Sequence, residues 1–176
     1  MIDDDQAENL LGALSVAVAD RMQRAMAADA EQGPTGAAAL SALDQFLRDP
    51  TIDLLRRVLG LTSSGTVRLV DRLVEAGLVR RADGPDRRST VVVLTPAGRR
   101  AAHRVTDSRT ALLRDALAVL TPDERRQFGT LAGRILAGLA QPAAPTGGWL
   151  CRLCDVHACG RAEGHCPVAG PDPPHF

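Results

Sequence analysis

The chain has no lysine and no tyrosine, and only three phenylalanines and one tryptophan among its 176 residues. With aromatics this scarce, Ala, Leu and Val must fill the core, which favours close-packed helices over a sheet-rich fold. No run of 18 apolar residues exists, which excludes a membrane-spanning helix and leaves no membrane role to expect. The opening Met1-Ile2-Asp3-Asp4-Asp5 is the opposite of a basic, apolar leader, so the expected localisation is cytoplasmic. Cysteine is missing until Cys151; Cys151, Cys154, Cys159 and Cys166 all lie near the end of the sequence. A disulfide framework would spread its cysteines through the fold. There is no Gly-rich phosphate loop, no His-Glu-x-x-His and no nucleophile elbow, so the reading is of a protein that is not an enzyme.

Charged residues make up 24% and apolar residues 45%, which is enough to build a globular core. The length suits one domain with a small appendage. Net charge is zero, but the charges are segregated. Residues 1–50 carry nine acidic residues against three arginines, whereas residues 62–104 carry nine arginines against four acidic residues. A basic middle in a neutral chain is an electrostatic footprint for a polyanion, although an ordinary solvated face gives the same count.

Periodicity predicts a long helix over 6–31, with Leu10, Leu11, Leu14, Val18, Met22 and Met26 at helical spacing. Gly33-Pro34-Thr35-Gly36 breaks it. A second helix is expected over 37–48 and is stopped by Asp49-Pro50. Thr51 caps a short helix to Leu59, with Gly60 at its end. Thr62 caps a fourth helix, over 63–76. Leu78–Arg81 and Thr90–Leu94 then read as a hairpin around a polar tip. Thr95-Pro96 starts a helix expected to run to about 119, and Thr121-Pro122-Asp123-Glu124 is a capping box for a last one, to about 140. Residues 141–148 are a Pro/Gly linker, and 149–176 form a cysteine-rich tail.

Two features point to DNA. The first is helix–Gly–turn–helix at 52–76, a unit that presents its second helix to a major groove. A helical wheel places Val67, Val70, Leu73 and Val74 on one face, and Ser64, Gly65, Arg68 and Arg72 on the other. Hydroxyls and guanidinium groups bond phosphates and guanine edges. Backbone N–H groups at Thr62-Ser63-Ser64 suit a phosphate. The second feature is the hairpin tip, where Arg87 and Arg88 could enter a minor groove while Asp86 holds one guanidinium as an ion pair.

On residues 61–81, from Leu61-Thr62-Ser63-Ser64 to Val79-Arg80-Arg81, and on Asp86-Arg87-Arg88-Ser89 and Leu94-Thr95-Pro96-Ala97-Gly98, the chain resembles the MarR family of winged helix-turn-helix transcriptional regulators. The resemblance spans about 10–140 and is specific in 61–98. It implies a mainly α fold: a winged helix-turn-helix with long flanking dimerisation helices and a small β-hairpin wing, filling 1–140. It also implies a homodimer on double-stranded DNA, often with a small-molecule or redox effector. Ser63, Ser64, Thr66, Arg68 and Arg72 match recognition-helix positions. Asp86 and Arg88 match the acidic–x–Arg pair of the wing, with Arg87 between them.

The tail departs from that pattern. Its Cys151-x2-Cys154-x4-Cys159-x6-Cys166 spacing offers four soft donors, with His157 and His165 among them. A Cys-x2-Cys turn lets two thiolates reach one ion, and two more complete a tetrahedron. Zinc, an iron–sulfur cluster, a thiol switch and free thiols all remain open for these residues. The expectation is therefore a DNA-binding regulator with a metal- or redox-responsive tail. The rival is a thiol or metal oxidoreductase built on the same cysteines.

Overall fold

The structure is a computed structural model and describes residues 3–30, 32–84, 89–140 and 149–168. Along them run α1 (Asp4–Ala30), α2 (Gly33–Gln45), α3 (Ile52–Leu59), α4 (Ser63–Glu75), β1 (Val79–Asp83), β2 (Thr90–Leu94), α5 (Pro96–Ala116) and α6 (Pro122–Leu139), then a 3-10 turn at Leu150–Leu153.

Threonine starts four of these helices, and in each its Oγ1 accepts one of the backbone N–H groups left free at a helix start. Thr51 accepts from Leu54 at 3.2 Å, Thr62 from Gly65 at 3.1 Å, Thr95 from Gly98 at 3.0 Å and Thr121 from Glu124 at 3.4 Å. The Glu124 carboxylate accepts the Thr121 N–H in return at 2.8 Å, completing the capping box expected from the sequence.

The core is organised around α2. Its Gly36–Leu43 run is buried without interruption, because small residues on every face let neighbours approach from all sides. α1, α3, α4, α5, β2 and the 3-10 turn all pack on it. Leu40, Leu55, Val58, Leu69, Val70, Leu73, Val79 and Val92 fill the interior. A smaller cluster joins Met26 of α1, Ala37 of α2 and Val105 of α5.

β1 and β2 pair antiparallel from Val79↔Leu94 to Asp83↔Thr90. The Gly84 N–H donates to the Ser89 carbonyl at 2.8 Å, closing the ladder towards the tip. A third short segment joins the sheet, with Thr51 bridging Val91 and the Val92 N–H donating to Pro50 at 2.9 Å.

Three boundaries differ from the sequence reading. The Gly33–Gly36 segment is not a break between helices: α2 begins at Gly33, with Pro34 in the first turn, where a missing N–H costs nothing. The same helix stops at Gln45, before Asp49-Pro50, as the chain turns through Asp49 at φ 46°. α5 ends at Ala116, three residues early.

α1 and α6 are only partly used by this core. Leu10, Leu11, Leu14 and Val16 on the first half of α1 are exposed, and α6 has no buried residue. Phe128, Leu131, Ile135 and Leu139 recur along α6 and stand in solvent. None of the described helices is long and apolar enough to cross a membrane.

Candidate nucleic-acid interface

α3 and α4 form the helix-turn-helix. Gly60 closes α3 in the left-handed conformation (φ 66°), where a side chain would be strained, and Thr62 opens α4 two residues later. The buried face of α4 is Thr66, Leu69, Val70 and Leu73. It locks the helix onto the core and turns the opposite face outward.

That outward face differs from the sequence-derived wheel in two ways. Val67 and Val74, expected inward, are 42% and 36% exposed. Thr66, expected among the DNA-facing residues, is fully buried, and its hydroxyl donates to the Thr62 carbonyl at 3.0 Å. Thr66 therefore secures the first turn and offers nothing to a ligand. Leu69 is buried and draws the apolar centre of the helix away from Val67. Ser63, Ser64, Arg68 and Arg72 are exposed as expected. Val67 joins them and brings a methyl-bearing surface suited to a thymine methyl group.

The wing follows directly. The Arg81 guanidinium donates to Asp71 of α4 at 2.7 Å and ties strand β1 to that helix. Arg80 is exposed beside it. Asp86, Arg87 and Arg88, and with them the expected ion pair, lie outside the described residues.

Below the wing, the Thr95 hydroxyl donates to the Gly77 carbonyl at 2.7 Å and the Thr95 N–H to the Leu78 carbonyl at 3.0 Å. Gly98 then passes so close to Leu78 that an added Cβ would stand 1.9 Å from the Leu78 carbonyl oxygen. The end of α4, the hairpin and α5 are thus joined through contacts with the Gly77 and Leu78 carbonyls.

The tail packs on α2 and α3. The Trp149 N–H donates to the Val58 carbonyl of α3 at 2.7 Å, and its ring meets Phe46. Leu153 packs against both core clusters. The Val156 N–H donates to Gln45 Oε1 at 3.0 Å. Arg161 is buried, with its guanidinium 5.7 Å from the Trp149 ring centroid. The linker 141–148 lies outside the described residues.

Cys151 and Cys154 lie one turn apart, with the Cys154 N–H donating to the Cys151 carbonyl at 2.8 Å. The neighbouring Cys151 thiol, with help from the Arg109 guanidinium, lowers Cys154 to about 6, against the opposing effect of its burial. The neighbouring Cys154 and burial raise Cys151. Cys159 is turned to the Val156 carbonyl at 3.6 Å. Among the described residues no three Cys, His, Asp or Glu side chains are grouped as a metal set.

Residues 34–89 match the family model of the MarR family. Solved structures share the fold over most of the chain. RV1404 from Mycobacterium tuberculosis is 28% identical, with a TM-score of 0.63 over 80% of this chain and 96% of its own. Sco3205 from Streptomyces coelicolor, a MarR family transcriptional regulator in complex with DNA, is 25% identical, with a TM-score of 0.62 over 85% and 98%. A MarR family protein from Bacillus stearothermophilus, 24% identical, reaches a TM-score of 0.69 over 78% and 95%. No curated protein matches the chain in sequence.

Proposed function

We propose that the chain is a winged-helix transcriptional regulator of the MarR family, whose model matches residues 34–89, and that it binds double-stranded DNA as a homodimer. The observation that carries this reading is the outward face of α4. Ser63, Ser64, Val67, Arg68 and Arg72 stand exposed on a helix fixed from behind by Leu69, Val70 and Leu73. Hydroxyls and guanidinium groups on a helix beside a basic wing match the requirements of a major groove and its phosphates. The similarity to a regulator solved in complex with DNA supports the same partner.

Homodimer formation is supported by the unused apolar faces. Leu10, Leu11 and Leu14 on α1, and Phe128, Leu131, Ile135 and Leu139 on α6, would be a poor surface for an isolated chain. Joining two copies through these helices covers them and presents two recognition helices to two half-sites. The wing residues Arg87 and Arg88 belong to the same proposal as minor-groove contacts, with Asp86 as the partner of Arg88. The protein works in the cytoplasm, on chromosomal DNA. A small-molecule or redox effector, or a metal at the tail, sets its affinity. The rival oxidoreductase reading has no support in the relatives, which include a transcriptional regulator.

The test is selection of bound fragments from a random duplex library, followed by mobility shifts of the enriched site at several salt concentrations. A two-fold symmetric site with salt-sensitive affinity is expected. No enrichment at low salt would overturn the reading.

A further inference from the structure

The exposed side chains of α4 differ in what they can do to a base edge. Ser63 and Ser64 offer hydroxyls, which bond donors and acceptors alike and so discriminate weakly. Arg68 and Arg72 offer donors only. No Asn or Gln stands on the helix, and its carboxylates are Asp71 and Glu75. Asp71 is engaged, because its Oδ1 accepts from the Arg81 guanidinium of β1 at 2.7 Å. Glu75 lies in the last turn, about 12 Å along the axis from Val67, whereas the N-terminal residues of such a helix reach the bases. The groups that select adenine or cytosine, amides and free carboxylates, are therefore missing or withheld where bases would be read.

Val67 is the apolar member of this stretch. It is β-branched and 42% exposed, left outside the core because packing closes on Thr66, Leu69, Val70 and Leu73. A lone exposed valine is an ordinary surface feature. The surroundings of Val67 set it apart. Its neighbours one turn either way, Ser63, Ser64 and Asp71, are exposed, and so is Arg68 beside it. In water its methyl groups contribute nothing to stability; they contribute when another apolar group covers them. The apolar group that a base edge presents in a major groove is the thymine 5-methyl.

We propose that Val67 is a specificity-determining residue that selects a thymine in each half-site through its 5-methyl group, close to a guanine read by Arg68. This assignment rests on the proposed DNA-binding function. Cytosine lacks the methyl group, and the purines present no apolar group in its place, so Val67 discriminates without a hydrogen bond. The donor-only guanidinium of Arg68 matches guanine O6 and N7. Val67 and Arg68 are chain neighbours, which confines the two bases to within about two base steps of about 3.4 Å each.

The test uses the full chain and the symmetric site enriched from the random library. Each thymine of a half-site, on either strand, is replaced in turn by uracil together with its symmetry mate. The exchange deletes the 5-methyl group and keeps every hydrogen bond. One such pair should weaken binding by about 15-fold, the loss of one covered methyl group in each half-site. Val67→Ala should bind the thymine and uracil forms of that site equally, with a far-UV spectrum like that of the wild type. Val67→Ile should keep the thymine preference. Arg68→Ala should keep the uracil penalty and lose its preference at a guanine within about two base steps of that thymine. Uracil tolerated at every thymine, an equal uracil penalty in Val67→Ala, or an enriched half-site without thymine would each overturn the role of Val67 and leave the DNA-binding reading standing. A library that yields no enriched site overturns that reading, and the role of Val67 with it.

Discussion

Trp149 meets Phe46 edge-on, with ring centroids 4.8 Å apart and ring planes at 86°. Phe46 is the C-cap residue of α2, so the first described residue of the tail rests on the end of the central helix. Trp149→Ala removes this pair and the surface beneath Arg161. Folding stability should fall by about 1–3 kcal/mol, combining the aromatic pair with lost burial of a half-buried side chain. Urea denaturation followed by circular dichroism measures it. A change below about 0.5 kcal/mol would mean that the tail is not held on α2 in solution.

Removing residues 147–176 leaves every element of the winged helix in place, because α1 to α6 are complete by Leu139. The shortened chain should still fold and dimerise, but with lower stability than the full chain, since Phe46 and Val58 lose what covers them. Comparing midpoints of denaturation, with the oligomeric state from light scattering, checks both parts.

Gly98→Ala should be among the most damaging single substitutions. The new Cβ would meet the Leu78 carbonyl, a backbone atom that cannot step aside without moving β1 or α5. Overpacking of this kind costs about 1–3 kcal/mol, and sometimes more. Because Leu78 leads into the wing, DNA affinity should fall as well. A variant with wild-type thermal stability would contradict the close contact.

Arg68→Ala should leave stability within about 0.5 kcal/mol, because the side chain is exposed. Affinity should drop by about 1–3 kcal/mol, and base preference should flatten at a symmetric pair of operator positions. Thr66→Val is the contrasting case. It removes a buried hydroxyl bonded to Thr62, so stability should fall while base preference stays the same. Binding-site selection with both variants distinguishes a base-reading residue from a helix-securing one.

On the proposed homodimer, Leu131→Glu with Ile135→Glu should give a monomer and weaken operator binding, since charge on the apolar face of α6 opposes its burial. Light scattering of the double variant provides the test. A dimer of unchanged strength would place the interface elsewhere.

The Glu124 carboxylate accepts from the Thr121 N–H and hydroxyl, which holds it below the usual carboxylate range. A lowered folded pKa means that this contribution is present above the unfolded value and is lost as pH falls through the folded one. Thr121→Ala should raise the Glu124 pKa towards its ordinary value, as an NMR titration of the side-chain carboxyl would report.

Much of this protein is written in local sequence. The four threonine caps, the Thr121–Glu124 box, Gly60 and Pro96 each act on backbone groups within a few residues, so α3, α4, β2 and the starts of α5 and α6 could be placed without a structure. The charge segregation and the exposed Ser64, Arg68 and Arg72 were legible for the same reason: helical spacing alone brings them to one face. Tertiary packing decided the rest. Thr66 went inward and Val67 outward because the core closes on Leu69, and a wheel cannot weigh which neighbour takes which face. The tail looked detached, since its Pro- and Gly-rich approach carries no period. Its attachment depends on Phe46, Gln45 and Val58, residues roughly a hundred positions earlier whose nearness only the folded chain creates.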